Sequence, residues 1–165
     1  MNKNSMKYFQ HPTSIVETED IGDRTKIWAF SHVCKDSKIG IDCVIGEGVY
    51  IGPGVTVGDR VKIQNHSLIY EGVTIEDDVF IGPNVVTTND IYPRAQGDWS
   101  SRFRKTFIKK GASIGASSVI ICGNTLGEKC MVGAGSVVTK NVEPKSLVYG
   151  NPAKKNTDRK DADNN

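Results

Sequence analysis

The sequence predicts an all-β solenoid of short parallel strands, and three observations carry this prediction. Aliphatic residues occupy every sixth position from Ile15 to Ile81, and the register resumes from Ile108 to Val138. A small or β-branched residue follows four places after nearly every aliphatic, with Val142 the last of them. Glycine often stands directly after the aliphatic, where the chain must bend. An amphipathic helix would place its aliphatics three and four residues apart, so the pattern excludes a helical fold.

Each unit of six residues is typical of one short strand followed by one turn. Stacked turns of chain pair through backbone hydrogen bonds at a spacing of about 4.8 Å, and each turn buries the apolar layer of its neighbours. The pattern resembles the hexapeptide-repeat proteins, which fold as a left-handed parallel β-helix with three hexads in each triangular coil. The handedness is implied by the resemblance, because the general crossover rule favours right-handed connections. Eighteen hexads predict about six coils.

The register is interrupted by residues 87–107, which we predict to form a long loop protruding between the fourth and fifth coils. Long loops that leave a compact domain are usually functional. This loop holds four aromatic and four basic residues, so we expect it to cover an adjacent protomer and to form a cleft between subunits. The single domain is predicted to span residues 1–155, followed by a polar, disordered tail at 156–165.

Composition and charge exclude several classes of function. The formal net charge is only +2, from 21 basic and 19 acidic residues, so no strong field favours nucleic acid or an anionic membrane. The N-terminal residues lack the apolar segment of a signal peptide, and we expect a cytoplasmic protein. The four cysteines form no CxxC motif and are interpreted as reduced structural thiols. His11 and His32 are interpreted as structural residues of the opening coils.

The C-terminal segment carries a second motif. Its strings VGAGSVVTKNV and GNPAK resemble the ending of hexapeptide acyltransferases that use acetyl-CoA. The resemblance implies acetyl-CoA as co-substrate and no metal. Small residues would let the pantetheine arm lie against the backbone, and lysines would meet its phosphates. The cofactor-binding residues predicted on this basis are Ala116, Ala134, Gly135, Lys140, Pro152, Lys154 and Lys155.

The stretch TTNDIYP, residues 87–93, bears on the chemistry of the acceptor. In the sugar and antibiotic O-acetyltransferases that share the hexapeptide fold, a Thr-x-x-His-Pro element provides a histidine that takes the proton of the acceptor hydroxyl. This chain has no histidine in the corresponding stretch. A hydroxyl is a poor nucleophile without a positioned base, whereas a neutral amine already carries its lone pair. An amine acceptor is therefore favoured.

Residues 62–94 resemble the sugar-nucleotide N-acetyltransferases, which acetylate the 3-amino group of UDP- or dTDP-linked deoxyhexoses for bacterial surface glycans such as lipopolysaccharide and O-antigen. The resemblance assigns Asn89 to the reacting amine, which it would orient rather than deprotonate. His66 is a candidate general base or substrate contact in the same cleft. Arg94 suits a phosphate or a sugar carboxylate. The substrate-binding residues predicted are Gln64, Asn65, Tyr70, Glu71 and Arg94.

Other functions stay open at this point. The chain could be an O-acetyltransferase acting on a sugar hydroxyl, or a non-catalytic trimeric β-helix scaffold. A zinc enzyme like the trimeric β-helical carbonic anhydrases is disfavoured, because the chain lacks their pair of histidines five residues apart. The nucleotide, the sugar configuration, the group at C6 and the length of the acyl donor are not determined. We expect a homotrimer with active sites between protomers.

Overall fold

The computed structural model describes residues 8–98 and 100–156. In these residues the chain forms 21 short strands and one 3₁₀ turn, Ser100–Arg102. No helix among them is long and apolar enough to cross a membrane. The strands are β1 (Phe9–Gln10), β2 (Ile15–Val16), β3 (Lys26–Ile27), β4 (His32–Val33), β5 (Lys38–Ile39), β6 (Val44–Ile45), β7 (Tyr50–Ile51), β8 (Thr56–Val57), β9 (Lys62–Ile63), β10 (Leu68–Ile69), β11 (Val73–Ile75), β12 (Phe80–Ile81), β13 (Val86–Thr87), β14 (Thr106–Ile108), β15 (Ser113–Ile114), β16 (Val119–Ile120), β17 (Thr125–Leu126), β18 (Met131–Val132), β19 (Val137–Val138), β20 (Leu147–Tyr149) and β21 (Lys154–Lys155).

The strands assemble into three sheets, which are the faces of the solenoid. Face A has the order β1-β3-β6-β9-β12-β15-β18-β20-β21, face B the order β19-β16-β13-β10-β7-β4-β2, and face C the order β17-β14-β11-β8-β5. All neighbouring strands are parallel except β20 and β21, which are antiparallel. Successive strands of the chain pass from face A to face B to face C. The predicted all-β parallel β-helix is confirmed.

The core is a stack of aliphatic side chains, as the hexad pattern predicts. On face A, Ile45 pairs in register with Ile27 and with Ile63, and all three are fully buried. Small polar residues in the second slot are buried as well, and their hydroxyls bond to the backbone. Ser67 Oγ donates to the Gly82 carbonyl at 2.8 Å and accepts the Val85 N–H at 3.2 Å. A serine therefore fits this interior because both neighbouring turns satisfy it.

A backbone requirement recurs three residues after most inward aliphatics. Most of these positions have a φ between about +53° and +90°, in the left-handed region that disfavours side chains. Glycine takes some of them, but Asp, Asn, Arg, Lys, Ser and His take others. His66, with φ of 60°, is one of these turn residues. Its position in the sequence is therefore explained by the turn as well as by any role in a site.

The structure corrects four details of the prediction. Eight parallel strands stack on face A, so the solenoid has about eight turns rather than six, because the strands continue before the first hexad and after the last. Ile15 is 57% exposed, and Val16 packs against the core instead, so the first hexad is shifted by one residue. Val142 pairs with Leu126 in an aliphatic column rather than a small-residue slot, because the preceding turn is shorter. The loop spans 88–105, because Thr87 and Thr106 belong to strands and are fully buried.

Charged residues at the turns between face C and face A form a ladder with the period of the solenoid. Arg24 donates two hydrogen bonds to Asp42, at 2.7 and 2.6 Å, and Arg60 donates two to Asp78, at 2.6 and 3.1 Å. These bonds lower the pKa of both carboxyl groups. All four side chains are exposed, so water and salt screen the pairs, and the ladder contributes little beyond fixing the stacking of the turns.

Candidate functional site

Face B differs from the other faces in the side chains that point away from the core. The first residue of each two-residue strand points outward, because side chains alternate across a strand. On face A and face C, several of these positions hold exposed lysines. The corresponding column on face B contains no Asp, Glu, Lys or Arg, and its members are half-buried: His32, Tyr50, Leu68, Val86, Val119 and Val137.

Two edges border face B, and the predicted site residues lie on them. We call the turns that connect face A to face B edge AB; they are residues 28–31, 46–49, 64–67, 82–85, 115–118 and 133–136. We call the connections that leave face B edge BC; they are residues 34–37, 52–55, 70–72, 88–105, 121–124 and 139–141. Edge BC therefore includes the long loop.

The first half of edge AB carries polar residues. Asn65 Oδ1 accepts the Glu47 N–H at 3.1 Å, and the His66 N–H donates to the Glu47 carbonyl at 2.8 Å. The imidazole of His66 lies directly over Gly48, where an added Cβ would come within 2.4 Å of Nδ1. Gly48 therefore makes room for the ring of the next turn. His66 is exposed beyond that contact.

Gln64 and Asn65 also line an open groove of about 470 Å³. The other residues around it include His11, Trp28 and Glu47. Trp28 stands where later turns have Gly46 and Gln64, and the small Gly46 leaves the space between them. The sequence analysis assigned no site role to Trp28 or His11. The signal that could have found Trp28 is a large aromatic residue at a position that glycine often takes.

The second half of edge AB carries small residues. The Gly135 N–H donates to the Ala116 carbonyl at 2.8 Å. A Cβ on Gly115 would come within 2.4 Å of the Ala134 backbone nitrogen, so the turns pack closely there. No atom lies within 4 Å of where a Gly135 Cβ would stand, which leaves the backbone open to a ligand. Ala116, Ala134 and Gly135 thus form one column of low relief.

The C-terminal hairpin folds back onto the end of face B. The Val137 N–H donates to the Gly150 carbonyl at 2.9 Å, and the Ala153 N–H donates to the Val137 carbonyl at 2.8 Å. These bonds bring Pro152 beside the last strand of face B. Lys154 is exposed. Lys155 is ion-paired with Glu143, and this pair lowers the pKa of the Glu143 carboxyl group.

Edge BC carries aromatic residues and Glu71. The Tyr70 ring lies 5.5 Å from the Tyr50 ring, which in turn lies 5.8 Å from the His32 ring. Burial, and then a hydrogen bond with Cys34, raise the pKa of the Tyr50 phenol to about 12. Tyr50 therefore keeps its proton at neutral pH and can donate a hydrogen bond. Lys140 lies further along the same edge, exposed.

The base of the long loop is held firmly against edge BC. The Arg104 N–H donates to the Asn89 carbonyl at 2.9 Å, and Asp90 forms an isolated antiparallel bridge with Phe103. Arg102 Nε lies 3.1 Å from Asp90 Oδ2, and the Cys122 N–H donates to Thr88 Oγ1 at 3.0 Å. Asn89 is half-buried at this base. Its position is therefore set by backbone and side-chain bonds on both sides of the loop.

The outer part of the loop faces solvent. Tyr92 is 72% exposed and Ile91 is 43% exposed. Arg94 donates a hydrogen bond to the Pro93 carbonyl at 2.8 Å and is also exposed. Trp99, which the sequence analysis counted among the loop aromatics, lies outside the described residues.

The two groups of predicted residues therefore lie on opposite edges of one face. Edge AB holds Gln64, Asn65 and His66 together with the column Ala116, Ala134 and Gly135. Edge BC holds Tyr70, Glu71, Asn89, Arg94 and Lys140. The four cysteines are buried and not disulfide-bonded, and burial raises the pKa of the Cys130 thiol to about 11. These features fit the interpretation of the cysteines as reduced thiols.

Comparison with known proteins agrees with this architecture. The sequence matches the family described as "Bacterial transferase hexapeptide (six repeats)" over residues 20–53, 36–75 and 54–89. It also matches the family described as "Hexapeptide repeat of succinyl-transferase" over residues 107–140. The long loop falls between the two sets of matches.

Two curated relatives illustrate the range of similarity. The chain is 49% identical over 154 residues to the dTDP-3-amino-3,6-dideoxy-alpha-D-galactopyranose 3-N-acetyltransferase of Aneurinibacillus thermoaerophilus, which covers 93% of this chain and 80% of the relative. It is 35% identical over 137 residues to the bifunctional protein GlmU of Trichodesmium erythraeum, which covers 83% of this chain and 27% of that protein.

Solved structures share the fold. One is AntD, an N-acyltransferase from Bacillus cereus in complex with dTDP and coenzyme A, with a TM-score of 0.65 at 20% identity, covering 94% of this chain and 80% of that chain. Another is the GDP-perosamine N-acetyltransferase from Caulobacter crescentus in complex with CoA and GDP-perosamine, with a TM-score of 0.64 at 20% identity, covering 92% and 57%. The chain belongs to the family of hexapeptide-repeat acyltransferases that includes the Aneurinibacillus sugar-nucleotide 3-N-acetyltransferase.

Proposed function

We propose that this protein transfers the acetyl group of acetyl-CoA to the 3-amino group of a dTDP-linked 3-amino-3,6-dideoxyhexose. The observation that carries the proposal is the 49% identity, over 93% of the chain, to an enzyme named for this reaction. The absence of a histidine from residues 87–93 supports an amine rather than a hydroxyl acceptor. The relative's name favours dTDP over UDP and a methyl group at C6.

The chemistry requires positioning more than proton removal. The neutral amine attacks the thioester carbonyl carbon, a C–N bond forms, and the C–S bond breaks to release the CoA thiolate. The nitrogen loses one proton, which the thiolate or water can accept. Asn89 cannot act as a base near neutral pH, but its side-chain carbonyl can accept a hydrogen bond from the amine and aim the lone pair. Holding the reactants in this way can itself provide a large part of the rate.

The rigid loop base makes Asn89 suitable for this role. Arg104, Asp90 and Phe103 fix the backbone on either side of it, and effective positioning needs a side chain that is held by its surroundings. Tyr70 and Glu71, one turn earlier on the same edge, are placed to contact the sugar. Arg94 is exposed on the outer loop and could reach the diphosphate with its planar guanidinium.

We place acetyl-CoA along the small-residue column of edge AB. Ala116, Ala134 and Gly135 leave the backbone accessible to the pantetheine arm. Pro152 and Lys154 lie at the end of this column, whereas Lys140 lies on edge BC. Lys155 is the weakest of the predicted phosphate contacts, because Glu143 already neutralises its charge. Lys154 is the better candidate for the phosphates.

The positions of the two edges support an active site between protomers. Asn89 on edge BC and the small-residue column on edge AB are separated by face B within one chain. A second chain packed against face B would bring its own edge to the first chain's loop. The charge-free outward column of face B and the exposed Tyr92 suit such a contact. We propose a homotrimer with three equivalent sites. The further proposals are a cytoplasmic location and a product used in bacterial surface glycans such as lipopolysaccharide or O-antigen.

The reaction itself is tested with acetyl-CoA and a panel of dTDP- and UDP-linked 3-amino and 3-hydroxy sugars, followed by mass spectrometry. We expect one acetyl group to be gained by the 3-amino sugars, with kcat/KM at least about 100-fold above the matched 3-hydroxy sugar, or roughly 2.7 kcal/mol in the barrier. Comparable turnover of the hydroxy sugar would identify an O-acetyltransferase. Absence of any acetyl transfer or acyl-CoA binding would instead favour a scaffold.

A substitution at Asn89 tests the positioning role. Asn89→Ala should lower kcat by a factor of about ten to a thousand, because the amine loses its orienting hydrogen bond. Circular dichroism should be unchanged, since the side chain lies outside the aliphatic core. Gln96→Ala, which removes an exposed amide from the same loop, is the matched control and should change kcat less than twofold. An Asn89→Ala enzyme with the parent's kcat and KM would place the chemistry elsewhere.

The assembly is tested by adding a charge to face B. Val119→Glu should convert the trimer to monomers, because the new carboxylate would be buried without a partner at the contact between chains. Thr56→Glu adds the same charge to an exposed position on face C and should leave the trimer intact. Light scattering distinguishes the two. A monomeric parent protein at working concentration would show that the sites are not shared.

A further inference from the structure

A cluster of potential metal ligands lies at the first two turns of the solenoid, on face B and edge BC. Glu17 follows β2, His32 begins β4, and Cys34 follows β4. Glu17 Oε2 lies 3.4 Å from His32 Nε2, and Cys34 Sγ lies 3.7 Å from the same nitrogen. One ligand atom from each residue lies within 4.8 Å of the other two. The cluster shares no residue with the predicted acetyl-transfer site.

Ordinary hydrogen bonding does not account well for this geometry. Two groups converge on a single imidazole nitrogen, which either carries a proton and donates or lacks one and accepts. A Cys-His-Glu relay would place the thiol and the carboxylate on opposite ring nitrogens, as in catalytic triads. Here both approach Nε2. The N···O separation of 3.4 Å is also longer than a normal hydrogen bond.

The separations match those around a tetrahedral zinc ion. With Zn–N and Zn–O bonds of roughly 2.1 Å and a Zn–S bond of about 2.3 Å, tetrahedral angles place nitrogen and oxygen about 3.4 Å apart, and nitrogen and sulfur about 3.6 Å apart. Both values agree closely with the observed distances. We propose that Glu17, His32 and Cys34 bind one zinc ion, with a water molecule in the fourth position. A ligand set of thiolate, imidazole and carboxylate favours zinc over the hard cations magnesium and calcium.

The surrounding groups would support such a site. The Lys35 N–H donates to Glu17 Oε2 at 3.2 Å and orients the carboxylate. The Cys34 side chain is buried, and Tyr50 contributes a hydroxyl beside it. Binding converts the Cys34 thiol to a thiolate and releases its proton to solvent, while zinc gains an S–Zn bond and neither atom changes oxidation state.

The place of the cluster suggests what the ion would do. Glu17 belongs to the first turn of face B, whereas His32 and Cys34 belong to the second. The terminal turn of a solenoid has a neighbour on one side only and frays most easily. Zinc would tie the first turn to the second and stabilise the N-terminal end. The proposed acetyl transfer requires no metal, so this site is independent of it.

Zinc binding is tested on the full-length protein after treatment with a chelator. Titration with ZnCl₂ in competition with a chromophoric chelator should show one ion bound per chain. At a hundredfold excess over the dissociation constant, the thermal midpoint should rise by roughly 5 to 10 °C. CoCl₂ should give the near-ultraviolet absorption of a thiolate-to-cobalt bond. Amide hydrogen exchange in residues 15–34 should slow when zinc is added.

Variants separate this site from adventitious binding. Cys34→Ser should abolish the thiolate-to-cobalt absorption and weaken zinc binding by roughly tenfold or more. His32→Gln, which leaves the buried thiol in place, should weaken zinc binding similarly. Cys122→Ser, at a buried cysteine elsewhere on edge BC, is the control and should retain the absorption. No zinc uptake by the parent, no thiolate absorption with cobalt, or unchanged binding in Cys34→Ser or His32→Gln would overturn the proposal.

Discussion

The pairing of each turn with the next in a constant register is the constraint on which the rest of this structure depends. Because Ile27, Ile45 and Ile63 pair in sequence on face A, every other position of the repeat is also stacked into a column. Columns of aliphatics become the core, columns of turn residues become the edges, and the outward column of each face sets its surface chemistry. A site on this fold therefore runs along the axis, with chemistry that changes from turn to turn. On edge AB the change is from polar residues to small ones.

The long loop is an exception to this register that leaves the register intact. Thr87 and Thr106 are both fully buried in strands on either side of it, so the solenoid continues as though the intervening residues were absent. Backbone groups that cannot join the stack are instead satisfied within the loop base, where Asn89 and Arg104 are hydrogen-bonded. The same bonds that close the loop also hold Asn89 still. A break in the repeat thus becomes a rigid platform for a side chain that the core does not need.

The sequence predicted the strands and core well because the hexad pattern is strict and a slip would expose an entire aliphatic column. It failed at the ends, where Ile15 and Val142 lie next to irregular spacings that a fixed period cannot follow. It placed His66 in a cleft without recognising that its position requires a positive φ. It also could not show that Tyr70 and His66 lie on opposite edges, because one turn of sequence spans all three faces. Convergence of Glu17, His32 and Cys34 depends on stacking and has no local sequence motif.

The central claim is that a functional site combines edge BC of one chain with edge AB of its neighbour. The most direct measurement mixes two inactive variants, Asn89→Ala on edge BC and Ala134→Trp, which would block the small-residue column on edge AB. After unfolding and refolding an equal mixture, about a quarter of the parent's sites should contain both native edges, since three-quarters of random trimers are mixed and each restores one site in three. Acetyl transfer should recover to about that level. A mixture no more active than the average of the two variants would contradict the claim and place each site within a single chain.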